Sequence, residues 1–270
     1  MGTLFSVRYA DFRSFRIPKI KTDKMQSLKG KIAIVTGGSR GIGAAIAREL
    51  GLNGATIVIN YNHSREHADK LVAELTEQGV TAIAIQADIA ESEATRKLVE
   101  ETIRQFGRVD ILVNNAGITR DRSFRKMSEQ EWHEVIDTNL SSAFNTCTIA
   151  IHKMAEEKFG RIINISSIVG QAGAFGQTNY AAAKAGLIGF TKALALETAR
   201  SGITVNAICP GYIATEMVKA MPEDALASVI GKIPMQRLGT PKEIAEAVVF
   251  ICNTPYMTGQ CINLNGGLYM

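Results

Sequence analysis

The chain has 270 residues, 46% of them hydrophobic and 21% charged, with a formal net charge of +4. That is enough chain to bury one large core, and no apolar run approaches the roughly 18 residues of a membrane span. Six of the 30 basic and two of the 26 acidic side chains fall in residues 1–24, so the rest holds 24 of each and the surplus charge is no sign of a nucleic-acid surface.

Residues 1–24 read as a basic, disordered extension, with a compact domain over 25–270 and a domain start at Met25. From Lys31 on, apolar runs alternate with amphipathic stretches. Ile32–Thr36 is a continuous apolar run, read as a strand buried on both faces. A helix follows over Gly41–Leu52, and a strand over Ala55–Asn60. A helix over Ser64–Gln78 stops at Gly79, a strand fills Thr81–Gln86, and a helix over Glu91–Phe106 stops at Gly107. Val109–Asn114 is a strand. Ser128 with Glu131 reads as a capping box opening one long helix to Lys158. Arg161–Ser166 is a strand, Asn179–Arg200 a helix, and Thr204–Ile208 a strand. Pro241–Cys252 is a helix with proline in its first turn, and Cys261–Leu264 is the last strand. Strict alternation predicts right-handed crossovers and a single α/β domain: a Rossmann-type doubly wound seven-stranded parallel sheet with helices on both faces.

Candidate ligand residues cluster at the carboxyl ends of these strands. Gly37, Gly41 and Gly43 stand at Gly-x₃-Gly-x-Gly spacing between the first strand and helix, with Ser39, Arg40 and Ile42 among them. Glycines there let backbone approach a pyrophosphate, which the helix N-terminus attracts. The second strand ends at Asn60 with no acid at 60–62 to accept from a ribose 2′-hydroxyl. Arg40 can instead pair with a 2′-phosphate, so NADP(H) is the expected cofactor. Asp88 is placed to accept from an adenine amino group or to cap a helix. Asn115, Ala116 and Gly117 follow the fourth strand and let a flat ligand pass.

Tyr180 and Lys184 share a helical face. A tyrosine ionises near pH 10, and a neighbouring ammonium lowers that value. Ser167 lies thirteen residues upstream at a strand end, and Asn139 within the preceding helix. No Cys or acid cluster completes a metal site around His63 and His67. Cys209, Cys252 and Cys261 lie in apolar stretches and read as reduced core thiols, which points to the cytoplasm.

Together, Thr36–Gly43, Asn114–Gly117, Asn139, Ser167 and Tyr180–Lys184 resemble the ordered motif set of the short-chain dehydrogenase/reductases, from about Leu28 to the end. The resemblance implies that Tyr180 is the acid and that Ser167 binds the substrate carbonyl. It implies that Lys184 binds the nicotinamide ribose and acidifies Tyr180, while Asn139 holds a relay water. Pro210, Gly211, Ile213 and Thr215 resemble the segment that closes over the nicotinamide. Within the family, the chain is similar to reductases of β-keto thioesters, both acetoacetyl-CoA reductases and 3-oxoacyl-acyl carrier protein reductases. Ser123–Met127 and the stretch Phe175–Tyr180 lean towards acetoacetyl-CoA, with Phe175, Gln177 and Tyr212 bounding the substrate. Leu196 and Lys158 stand where carrier-protein reductases tend to have arginines for their acidic partner. The resemblance also implies a homotetramer. A non-catalytic NADP-binding sensor is the reading from a different class, and the intact Ser167, Tyr180 and Lys184 count against it.

Overall fold

The computed structural model describes residues 28–219 and 221–270; the expectations for residues 1–24 and for Met25 lie outside them. Seven strands form one parallel sheet: β1 (Ile32–Val35), β2 (Thr56–Tyr61), β3 (Ala82–Gln86), β4 (Ile111–Asn114), β5 (Gly160–Ile165), β6 (Ile203–Pro210) and β7 (Cys261–Leu264), in the order β3-β2-β1-β4-β5-β6-β7. The helices are α1 (Gly41–Leu52), α2 (Arg65–Glu77), α3 (Ser92–Phe106), α4 (Glu129–Ile136), α5 (Ser142–Glu156), α6 (Val169–Ala172), α7 (Thr178–Thr198), α8 (Glu216–Lys219), α9 (Glu223–Lys232) and α10 (Pro241–Cys252).

The apolar runs are continuous because both sheet faces are covered. Along β1, Ala33 and Val35 join a core with Ile46 and Leu50 of α1 and Val248 of α10. Ile32 and Ile34 face the other way, into a core with Leu98 of α3 and Ala150 and Met154 of α5. Each strand side chain thus serves one of two layers, as the two-residue period requires. The chain runs outward from β1 to β3 and returns to β4 on the far side of β1. That reversal opens a crevice at the carboxyl ends of β1 and β4, where such sheets bind ligands.

One expectation needs correction. The long helix over 128–158 is two α-helices joined by a π-helical segment, Asp137–Ser141, with Asn139 at its centre. The capping box is present at its start, where Ser128 Oγ accepts from Glu131 N at 3.1 Å and Glu131 Oε2 accepts from Ser128 N at 2.9 Å. The widened turn accompanies a tertiary contact. Asn139 is committed to the backbone of the β4 loop, and π segments of this kind recur at functional sites. Three helices, α6, α8 and α9, fall in stretches that were not assigned from the sequence.

Candidate active site

The glycine loop is held from two sides. Thr36 Oγ1 accepts from Asn115 N at 3.0 Å and Ala116 N at 3.1 Å. Asn115 Nδ2 donates to Thr36 O at 2.9 Å and Gly37 O at 3.2 Å. From the other side, Asn60 Oδ1 accepts from Gly37 N at 3.2 Å, and Asn60 Nδ2 donates to Ala87 O at 3.0 Å. Asn60 is therefore a buried tie between the loop and the end of β3, with its polar atoms committed to backbone. Gly37 and Gly41 adopt positive φ, 58° and 56°. A Cβ on Gly43 would enter hard contact with Gly37 O and lie 2.5 Å from Asn115 Nδ2. Only a bare backbone fits there.

Helix α1 begins at this loop with no side-chain cap and no acid in its first turn. Helices α4 and α10 both carry capping boxes. The N–H groups of α1 thus face the crevice free for an anion. The crevice encloses about 1000 Å³ and is lined by Ser39–Gly43, Asn60–Ser64, Ala87–Glu91, Asn115–Ile118 and Thr215, among others. Arg40 is exposed at its rim, and Asp88 forms a turn in which Oδ1 accepts from Ala90 N at 3.0 Å. Thr215 closes towards the glycine loop, its Cγ2 3.6 Å from where a Gly41 Cβ would sit. The same segment is anchored by buried Pro210 and Ile213 and by Gly211, whose missing Cβ leaves room for Asn265. These features fit a dinucleotide: a glycine cradle for its pyrophosphate, an uncapped helix for its charge, and a cation at the ribose end.

Beyond the crevice, β5 and α7 bring the chemical groups together. Ser167 follows β5, Tyr180 opens α7, and Lys184 lies one turn later, nearly fully buried. Lys184 Nζ donates to Ile165 O at 2.8 Å and lies 5.6 Å from the Tyr180 ring centroid. Gly117, Asn139 and Lys184 converge, since a Cβ on Gly117 would lie 3.2 Å from Asn139 Oδ1 and 3.5 Å from Lys184 Nζ. Asn139 clamps the loop after β4: its Oδ1 accepts from Ile118 N at 2.8 Å and its Nδ2 donates to Ile118 O at 2.9 Å. Below, Asn114 Nδ2 donates to Asn164 Oδ1 and Asn164 Nδ2 to Thr191 Oγ1, both at 2.8 Å, which ties β4 to β5 and β5 to α7.

The electrostatics differ from the simple expectation. Burial pushes the Tyr180 hydroxyl up; a hydrogen bond with Ser167 opposes this, and the charge of Asp121 adds to the rise. In this arrangement burial is the largest influence on the tyrosine. Lys184 itself is lowered to about 8, chiefly because its ammonium is buried. A protonated tyrosine beside a lysine poised near neutrality suits proton donation.

Three positioning residues carried no site role in the sequence reading. Buried Asn179 donates through Nδ2 to Arg120 O and Glu131 O, both at 3.1 Å, and its Oδ1 accepts from Tyr180 N at 2.8 Å. It fixes Tyr180 against the loop after β4. Ser166 Oγ donates to Lys184 O at 2.8 Å. Gly170 lets α6 press on α7, as a Cβ there would lie 2.7 Å from Lys184 C. Of the substrate candidates, Phe175 is 96% exposed on the α6–α7 loop, and Gln177 Nε2 donates to both oxygens of Asp121 at 3.0 and 2.9 Å. Tyr212 lines a separate cavity of about 300 Å³ with Met235 and Gly266. The described residues contain no group of three or more metal-ligating side chains, and no helix among them is long and apolar enough to cross a membrane.

Fold and site define a nicotinamide-dependent oxidoreductase, in which a dinucleotide crevice adjoins a Ser–Tyr–Lys cluster. The family model described as short chain dehydrogenase matches residues 31–226. The chain belongs to this family. It is 46% identical over 242 residues to a 3-oxoacyl-[acyl-carrier-protein] reductase of Staphylococcus aureus, covering 89% of this chain and 98% of that protein. It is 46% identical over 250 residues to the enzyme of that name from a Synechocystis species, covering 91% and 100%. An acetoacetyl-CoA reductase of an Acinetobacter species is 48% identical over 244 residues, covering 89% and 98%.

Proposed function

We propose that the protein reduces the β-keto group of acetoacetyl-CoA to (R)-3-hydroxybutyryl-CoA with NADPH. The observation that carries this is the convergence of Ser167, Tyr180 and Lys184 beside a crevice whose rim bears Arg40 and no acid after β2. NADPH supplies the hydride. Hydride addition builds negative charge on the carbonyl oxygen, and the neighbouring hydroxyls of Ser167 and Tyr180 are the donors that stabilise it. Tyr180 gives up its proton there. Lys184 holds the ribose and the charge behind it, and Asn139 keeps a relay water in place. Asn115–Gly117 pass the flat ring, Asp88 meets the adenine, and Pro210, Gly211, Ile213 and Thr215 cover the nicotinamide. Phe175 and Gln177 bound the acyl group.

The thioester carrier is the finer choice. Leu196 is 85% exposed and apolar, and Lys158 follows Glu156 and Glu157, so neither position offers an arginine to an acidic carrier protein. This favours CoA. The names of the Staphylococcus and Synechocystis relatives favour the second reading, a 3-oxoacyl-acyl carrier protein reductase. The protein acts in the cytoplasm as a homotetramer, with exposed Phe144 on α5 as an apolar contact. The test compares kcat/KM for acetoacetyl-CoA and acetoacetyl-acyl carrier protein with NADPH. The CoA reading requires the CoA thioester to be the better substrate. Equal or better use of the carrier-protein substrate overturns it, and no turnover of either returns the sensor reading.

A further inference from the structure

Two of the four cysteines lie side by side. Cys209 is buried on β6, Cys261 opens β7 half-buried, and their sulfurs are 3.0 Å apart. In the parallel register Cys261 pairs with Ala207, so Cys209 is its diagonal neighbour two residues on, pointing to the same face. We propose that Cys209 and Cys261 form a hydroperoxide-sensitive dithiol whose oxidation to a disulfide slows the adjoining active site.

The sulfurs need close by only about 1 Å to reach the roughly 2.05 Å of a disulfide. The two thiols are also unlike each other. Cys261 is lowered by its hydrogen bond with Cys209 and by the charge of Lys192, whereas Cys209 is raised. Cys147 and Cys252 are each pushed up to about 12 by burial and are inert by comparison. Cys261 is thus the attacking sulfur and Cys209 the resolving one. Gln171 Nε2 donates to Cys261 Sγ at 3.4 Å, which favours the thiolate, and Gln171 Oε1 is buried with no partner. That unused acceptor suits the O–H of a sulfenic acid.

The step balances with a hydroperoxide as oxidant. The Cys261 thiolate attacks the terminal oxygen, the O–O bond breaks, and the alkoxide takes a proton to leave as alcohol, or as water from hydrogen peroxide. Cys209 then attacks the Cys261 sulfenic sulfur. The S–O bond breaks, and hydroxide leaves as water with the Cys209 proton. Two thiols lose two electrons and two protons, and the peroxide bond takes them up. A dithiol of this kind in a reducing compartment is transient and sensing rather than structural.

Cys209 reaches the site through short links. It contacts the Ser166 side chain and the Ser167 backbone, and it lies within electrostatic reach of Lys184. Ser166 N donates to Ile208 O at 2.7 Å, and Ile168 N to Pro210 O at 3.0 Å, so Ser167 hangs on the strand residues either side of Cys209. Drawing Cys209 towards β7 shifts Ser167 and Lys184 on the scale at which catalytic geometry is lost.

The experiment treats the full chain with hydrogen peroxide. Thiol titration is expected to fall from four to two, with a Cys209–Cys261 crosslink in the peptide map. Reduction of acetoacetyl-CoA is expected to drop on the order of tenfold and to return with dithiothreitol. Cys261→Ser, or Cys261→Ala if serine disturbs the strand, keeps the untreated rate and loses the response; Cys147→Ser keeps both. Four remaining thiols, a Cys261 sulfinic acid without the crosslink, a crosslink with unchanged rate, or equal inactivation of Cys261→Ser each overturn the proposal. The activity readout rests on the reductase reading. Thiol count and peptide map do not, so failure of that reading is distinguishable from failure of the dithiol.

Discussion

Replacing Asn139 by alanine tests whether the π segment exists to hold the loop after β4. The side chain makes two hydrogen bonds to one residue, Ile118, at 2.8 and 2.9 Å, and is itself 2% exposed. Each bond contributes about 1 kcal/mol net, and leaving the half-buried Ile118 groups without partners adds about 1–3 kcal/mol. The expected loss is about 3–5 kcal/mol, a drop in Tm of roughly 6–20 °C for a domain of this size. Gly117 and the Lys184 ammonium pack on the same side chain, so NADPH affinity falls as well. Differential scanning fluorimetry with and without NADPH reads both effects. Thr148→Ala, which removes an exposed hydroxyl bond to Phe144 O on α5, is the control and shifts stability by less than about 0.5 kcal/mol. If Asn139→Ala melts with the control and binds NADPH normally, the clamp has no energetic weight and the reasoning fails.

Three further outcomes follow from the same geometry. Gly43→Ala places a methyl against Gly37 O and Asn115 Nδ2 and is expected to abolish NADPH binding; fluorescence titration with wild-type affinity would disprove the cradle. Arg40→Ala removes the one cation at 36–43 in the glycine loop and is expected to raise KM for NADPH by about tenfold to a hundredfold, the worth of a charged hydrogen bond, while leaving NADH use unchanged. An equal effect on both cofactors would reject the 2′-phosphate contact. Lys184, lowered to about 8, loses its ammonium as pH rises through that value, so reduction slows above pH 8; a flat profile to pH 10 would contradict its role. Because the folded chain releases this proton before the unfolded chain does, the same group makes stability rise with pH from about 8.

The sheet was legible in the sequence because its strands are buried on both faces and read as continuous apolar runs. All seven were recognised, and the edges moved by only a few residues, as with β6, which runs from Ile203 to Pro210. What was not legible depends on contacts between distant residues. The π segment follows from Asn139 reaching Ile118, which no local period announces. Asn60 looked like a cofactor residue because it ends β2, yet its two ends are spent on Gly37 and Ala87. The lowering of Lys184 and the raising of Tyr180 come from burial, which spacing on a helix does not reveal. Helix α9 did leave a local trace in Pro222 with Glu223 and Asp224 in its first turn. The closeness of Cys209 and Cys261 required the β6–β7 register.

The central claim is that Tyr180 donates the proton in reduction of a β-keto thioester. The direct measurement is NADPH oxidation with acetoacetyl-CoA by the wild-type chain and by Tyr180→Phe, with NADPH binding measured on both. The account predicts turnover by the wild type, unchanged cofactor affinity, and a fall in kcat of about 10²–10⁴-fold in the variant, the range for loss of a positioned general acid. Full turnover by Tyr180→Phe would contradict it.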